Sequence, residues 1–364
     1  MRIVKLDSLR GIFSLMVALH HYDMVFLPIW FYNSFIIRSS NSFVDFFFVL
    51  SGFVITSKYV GINSGKAFWA FIKKRLIRLY PLLFYTTTLY MLFQLVFNIF
   101  FPSLVGTKEG ISDLLYSYLD TMSFQNSTTV FNSLYTTSVF HMGMNFPSWS
   151  ISAEILTYII FGWLMLLGAW KNWNKNWMIA ILIFFAVLFC IYKGQFYFTE
   201  DYGFVRCIIC FMLGYFVWVI AKYDFQIPAF VEWLIPILLL LVFLKLNRLD
   251  GYAKSMSALA VIPVFFAAAI LVFVKSNGFI SKVLAQKSFT FLGKISYSIY
   301  LNHILIITIV PHFMFQVLHL PVISFFQFAV MIITFMILII YSYFTNIYIE
   351  QKMGNYLKRK FNVI

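Results

Sequence analysis

The stretch LDSLRGIFSLMVALHHYDMVFLPIWFY, residues Leu6–Tyr32, decides how the rest of this chain is read. It exceeds the ~20 residues that a helix needs to cross a bilayer, yet it carries Arg10, His20, His21 and Asp23. A charged group at the bilayer centre costs about 2.5–3.5 kcal/mol on insertion scales, so ionisable side chains kept there are candidates for function. Arg10 and His21 lie eleven positions apart. At about 100° per residue that spacing returns to within roughly 20° of one helix face, about 16 Å further along the axis. Ser14 shares the face, whereas His20 points about 80° away. The stretch therefore presents a cation at its start and an imidazole near mid-membrane.

Composition extends this reading to the whole chain. Of 364 residues 62% are hydrophobic and only 11% charged, with mean hydropathy +0.87. A soluble surface needs far more charge, and the apolar runs are continuous where a β-barrel would alternate. The sequence predicts an all-α, polytopic transmembrane bundle. The formal charge of +14 does not mark a nucleic-acid binder, because the basic residues flank apolar spans. The N-terminal MRIVK resembles a signal n-region, but the apolar run after it is too long and has no A-x-A site, so it reads as an uncleaved span. Cys190, Cys207 and Cys210 are the cysteines. The C-x-x-C pair lies in an apolar run without accompanying histidines or carboxylates, which favours lipid-facing or packed thiols over metal or redox chemistry.

Ten spans are expected, at about 11–31, 42–60, 77–101, 149–169, 177–193, 203–221, 231–247, 257–274, 295–315 and 323–348. Lysines and arginines cluster at residues 58–78, 275–294 and 352–360, all on the side of Arg2, Lys5 and Arg10. The positive-inside rule then makes both termini cytoplasmic; Lys245, Arg248 and Lys254 dissent. Loop 102–148, on the outer side, is rich in Ser, Thr, Asn, Tyr and Phe, and Asn126-Ser127-Thr128 is a formal glycosylation sequon. Such side chains suit a sugar-like ligand or, equally, packing at lipid headgroups. Residues 1–364 read as one integral-membrane domain with no soluble domain appended.

Five segments carry candidates for chemistry. His21 is the natural general base near neutral pH. Asp45, in SFVDFFFVLSGFVIT, either orients an imidazole or complements a helix dipole. Arg75 and Arg78, in KKRLIRLYPLL, share a helix face and suit phosphate groups, or else anchor the helix at lipid headgroups. Glu154, in NFPSWSISAEILTYIIF, sits about a turn and a half into its span near Ser150 and needs a partner or a wet cavity. Tyr300 and His303, in ISYSIYLNHILII, share a face with Ser296 and pair at i, i+3, a plain interhelical hydrogen-bond device or part of a site. No metal site is expected.

These ordered segments, LDSLRGIFSLMVALHH, VDFFFVLSGFVIT, KKRLIRLYPLL, FPSWSISAEI and ISYSIYLNH, resemble the acyltransferase 3 family of integral-membrane acyltransferases, which includes bacterial O-antigen and exopolysaccharide O-acetyltransferases. Each motif alone is weak; five in this order, spanning residues 5 to about 305, are specific. The family's basic-residue-to-histidine spacing falls on Arg10 and His21, its R-x-x-R on Arg75 and Arg78, its helix-two acid on Asp45, and its W-S-x-x-x-E on Trp149, Ser150 and Glu154. The resemblance implies transfer of an acyl group, usually acetyl from acetyl-CoA as co-substrate, to a hydroxyl of a glycan or glycolipid across the plasma (bacterial inner) membrane. Arg10, Arg75 and Arg78 would hold the donor. His21, Asp45 and Glu154 would serve the reaction, with Trp149, Ser150, Tyr300 and His303 in support. Asp45 and Glu154 would face the acceptor. His21 would act as general base or carry the acyl group covalently. The acyl group itself, acetyl or succinyl, stays open. No bound cofactor and no nucleic-acid partner is expected; the partners are acyl-CoA, a glycan or lipid-linked glycan, membrane lipids and a possible separate extracytoplasmic protein. A transporter or flippase that uses the intramembrane charges as a proton relay is the alternative. A structural membrane subunit is the third.

Overall fold

The computed structural model describes residues 3–100 (side chains to 96), 111–124, 144–199 and 201–362. The sequon at Asn126 and most of loop 102–148 lie outside the described residues. The remainder of that loop, Ile111–Met122, is a helix. Among the described residues the chain is all-helical. The elements are α1 (Val4–His20), α2 (Ile29–Tyr32), α3 (Phe35–Ser39), α4 (Phe43–Tyr59), α5 (Gly65–Phe100), α6 (Ile111–Met122), α7 (Trp149–Trp170), α8 (Lys175–Lys193), α9 (Gly203–Ala221), α10 (Val231–Asn247), α11 (Gly251–Lys275), α12 (Phe279–Leu284), α13 (Lys287–His312), α14 (Ser324–Thr345) and α15 (Gly354–Lys360). Among the described residues eight helical stretches are long and apolar enough to cross a membrane; α1 and α10, at 17 residues each, fall short of that length.

Two boundaries differ from the sequence expectation for physical reasons. The first span was expected to run to residue 31, but α1 stops at His20 with His21 as its C-cap. Asp23 accepts a hydrogen bond from the Val25 N–H at 2.9 Å and opens a 3-10 turn, Met24–Phe26. Pro28 then caps α2, lacking the N–H that would continue a helix and pushing Leu27 into extended geometry. The third span was expected to start at 77, yet α5 begins at Gly65 and runs 36 residues through Pro81. At ~1.5 Å per residue it is about 54 Å long, well beyond a hydrocarbon core of about 30 Å. Lys66, Lys73, Lys74, Arg75 and Arg78 therefore stand on the helix itself and not in a loop.

Two close crossings position the functional elements. Along the α1–α13 seam, a Cβ on Gly11 would lie 2.5 Å from the Gly293 nitrogen, and one on Gly293 would strike the Asp7 backbone. Ser8 adds a hydroxyl bond to the Leu284 carbonyl at 2.6 Å. Along the α4–α9 seam, a Cβ on Gly52 would collide with the Phe211 carbonyl and one on Gly214 with the Val49 carbonyl. Small residues at such crossings let helix backbones touch where lipid supplies no hydrophobic drive. The first seam brings the end of α1 beside the middle of α13; the second brings Asp45 beside Arg206.

Candidate active site

A cavity between α1, α4, α5, α7 and α13 gathers six of the residues singled out from sequence: Arg10, Arg75, Arg78, Ser150, Glu154 and Tyr300. They come from four helices and span 290 positions of sequence. At its basic end the cavity opens into two recesses. One shares Arg75 and Arg78 with it and adds Lys74 and Lys358. The other shares Arg10 and Arg78 and adds Lys58, Lys222 and Lys294. Lys74, Arg75 and Arg78 on α5 and Arg10 on α1, joined by Lys58, Lys222, Lys294 and Lys358 from other elements, thus ring one mouth with cations, with Asp7 and Glu350 the acids within it. Asp7 lies 3.8 Å from Arg10. Arg75 donates to the Tyr59 hydroxyl at 3.3 Å and stacks over that ring at 5.3 Å, while its Nε is buried without a hydrogen-bond partner among the described residues.

Glu154 lies inside this cavity, together with the arginines. One carboxylate oxygen accepts hydrogen bonds from both the Ser51 and Tyr158 hydroxyls, which are themselves 2.9 Å apart. The expected division, arginines at one compartment and Glu154 at the other, does not appear as two separate chambers. Ser150 bonds the Tyr300 hydroxyl at 2.8 Å, and the Pro147 carbonyl accepts from Ser150 at 3.0 Å.

The histidines lie one layer behind. His21, at the C-cap of α1, has Nδ1 3.1 Å from His303 Nε2 and 3.0 Å from the Val17 carbonyl. His303 is fully buried, with Nδ1 2.7 Å from the Tyr300 carbonyl. His20 turns away and bonds the Ile37 carbonyl through Nδ1 at 2.9 Å. Tyr300 links the two layers: it lines the cavity, and its ring lies 5.9 Å from that of His303.

Asp45 is elsewhere. Both its carboxylate oxygens accept from Arg206, Nε at 2.7 Å and a terminal nitrogen at 2.8 Å. The guanidinium also reaches the Asn41 and Phe198 carbonyls at 3.3 and 3.4 Å and sits among the rings of Trp149, Phe196 and Tyr197, 5.1–5.6 Å from their centroids. Trp149 thus packs on this ion pair. Arg206 was not foreseen, although an arginine in the apolar run GFVRCIICFML demands a carboxylate and Asp45 is an available one. Tyr158 lies one helical turn from Glu154, but Ser51, 103 positions away, carried no sequence signal as its partner. Glu232 was also missed: it accepts from Ser276, Ser281 and two backbone N–H groups at 2.5–2.9 Å, a closed structural cradle. Among the described residues no three His, Cys, Asp or Glu side chains gather in a way that could hold a metal ion.

Comparison with known proteins bears on this geometry. The profile of the Acyltransferase domain family (acyltransferase 3) matches residues 3–345. Proteins named "Putative O-acetyltransferase" from Staphylococcus aureus strains COL, MSSA476 and MRSA252 are each 25% identical over 335 residues, covering 84% of this chain and 50% of the relative. The chain spans about half the length of these relatives. No solved structure matches it. With the profile running from α1 to the end of α14, this membrane chain belongs to the acyltransferase 3 family.

Proposed function

We propose that the chain is a membrane-embedded O-acyltransferase that moves an acyl group, acetyl in the first instance, from acyl-CoA to a hydroxyl of a cell-surface glycan or glycolipid. The observation that carries this reading is the single cavity in which three arginines and Glu154 converge, joined through Tyr300 to a histidine pair. CoA carries phosphate groups, and guanidinium forks bind phosphate bidentately. Arg10, Arg75 and Arg78 hold the donor's anionic part at the basic mouth, and the arm reaches inward along the cavity.

His21, one layer behind the cavity beyond Tyr300, takes the proton from the acceptor hydroxyl as its oxygen attacks the thioester carbonyl. The C–S bond breaks, and the departing thiolate recovers that proton from the imidazolium. A variant of this path puts the acyl group on His21 itself before transfer. Glu154, ordered by Ser51 and Tyr158, sits on the donor path and shapes the passage beside the arginines. The basic mouth faces the cytoplasm, where acyl-CoA is made, and the acceptor is met from the opposite side of the bacterial inner membrane, directly or through an extracytoplasmic partner.

Purified protein with [14C]acetyl-CoA and surface-glycan analysis of complemented deletion strains test this. His21→Ala abolishes transfer with normal insertion, and His20→Ala keeps most of it; the reverse ranking defeats the assignment. Orientation is checked separately by cysteine labelling in intact cells. Positions Asn63 and Asn126 take the probe cysteine, and the native cysteines are buried. Asn126→Cys is tagged and Asn63→Cys is not if the basic mouth is cytoplasmic.

A further inference from the structure

The hydrogen-bond chain behind the cavity has a direction. The Tyr300 carbonyl can only accept, so His303 Nδ1, 2.7 Å from it, carries a hydrogen. In a neutral imidazole the other nitrogen is then bare, so His303 Nε2 is an acceptor. It faces His21 Nδ1 at 3.1 Å. The second neighbour of that same His21 nitrogen is the Val17 carbonyl at 3.0 Å, again an acceptor only. Two acceptors converge on His21 Nδ1, and it carries the hydrogen. The opposite arrangement needs a doubly protonated His303 and sets a bare His21 Nδ1 lone pair against the Val17 carbonyl oxygen.

We propose that His303 is a positioning residue that locks His21 in one tautomer, hydrogen on Nδ1, so that Nε2 is the free nitrogen that accepts the acceptor's proton or the acyl group. This rests on the acyltransferase reading above for its chemical consequence, but the lock itself is a statement about two rings. Three features fix the geometry. His303 is fully buried, with no room to rotate into solvent. Its ring lies 5.1 Å from that of His21 at 32°. The Gly11–Gly293 crossing sets the α1–α13 spacing on which the 3.1 Å contact depends. The lock also explains the i, i+3 pairing of Tyr300 with His303. One residue lines the cavity, its hydroxyl bonded to Ser150, and offers its carbonyl to the ring behind, so the histidine pair is registered against the donor path.

The test is 15N NMR of histidine-labelled protein in nanodiscs, with His21→Ala assigning the resonance, alongside acyl-transfer kinetics. Wild type shows His21 protonated at Nδ1 and bare at Nε2. His303→Leu removes one of the two acceptors and leaves only the weaker hold of the Val17 carbonyl within the same helix. The His21 signal then moves toward a mixture of tautomers, and kcat falls about ten- to hundredfold with the donor KM unchanged, because the arginines are untouched. His303→Gln places an amide oxygen where Nε2 stood and recovers the wild-type tautomer and most of kcat. The proposal is overturned if wild-type His21 carries its hydrogen on Nε2, or if His303→Leu leaves the tautomer as it was. Should His303→Leu fail to fold, the wild-type and His303→Gln spectra still decide. A protein with the expected tautomer but no thioester turnover upholds the lock and defeats the acyltransferase reading instead.

Discussion

Asp45–Arg206 and the arginine cavity contain the same chemistry, carboxylate and guanidinium inside a membrane bundle, and they treat it in opposite ways. Asp45 spends both oxygens on Arg206, whose remaining nitrogens go to carbonyls and whose faces are covered by aromatic rings. Nothing is left over for a ligand. In the cavity, Glu154 is satisfied by hydroxyls, and the arginines keep donors without carboxylate partners, Arg75 Nε among them. A buried charge costs several kcal/mol unless it is compensated, and under the proposed function the donor's phosphates supply the compensation that the chain does not. The pair pins α4 to α9; the proposed function gives the cavity to the donor's phosphates.

The sharpest way to break the comparison is to break the pair. Asp45→Ala strands a guanidinium that is only 2% exposed, and loss of one member of a buried pair costs about 3–5 kcal/mol. Thermal unfolding in detergent should drop steeply, whereas Asp45→Leu with Arg206→Met, which removes both charges, should restore most of the stability. If the double variant is as unstable as the single one, the pair does more than pin two helices. Next in size, Arg75→Ala or Arg78→Ala should leave the unfolding temperature near wild type and weaken CoA binding about ten- to hundredfold, the worth of a charge-assisted contact of roughly 1.5–3 kcal/mol. Lysine at either position should rescue only in part, lacking the planar fork. Isothermal titration with acetyl-CoA decides both points. Gly52→Ala meets the Phe211 carbonyl and should cost about 1–3 kcal/mol through forced separation of α4 and α9, read as a lower melting temperature with donor affinity retained. Smallest is Ser51→Ala. Glu154 keeps Tyr158, so stability should fall by about 0.5–1.5 kcal/mol.

Much of the cavity was legible because its residues are costly where they stand. Arg10 and Glu154 interrupt apolar runs, and helical spacing alone puts Arg75 beside Arg78. What periodicity cannot supply is the partner. Asp45 and Arg206 are 161 positions apart, and a carboxylate beside a predicted histidine reads as its orienter until the competing guanidinium is seen. The side chain 3.1 Å from His21 Nδ1 is that of His303, 282 positions away, which the sequence offered only as half of a tyrosine–histidine pair. Helix ends were the other blind spot. Residues 22–31 are apolar enough to hide the break that Asp23 and Pro28 impose, and the basic start of α5 looked like a loop because a span and a helix are different lengths. The placement of Glu154 beside the arginines needed the fold, since depth along one helix does not say which neighbouring cavity a side chain enters.

Equilibrium binding of acetyl-CoA to three monodisperse proteins in one detergent tests the central contrast most directly: wild type, Arg75→Ala/Arg78→Ala, and Asp45→Leu/Arg206→Met. The account predicts that the variant without the ion pair binds within about twofold of wild type and that the variant without the two arginines loses about a hundredfold or more. Loss of binding in the ion-pair variant with retention in the arginine variant would contradict it, and would move the donor site from the open cavity to the closed pair.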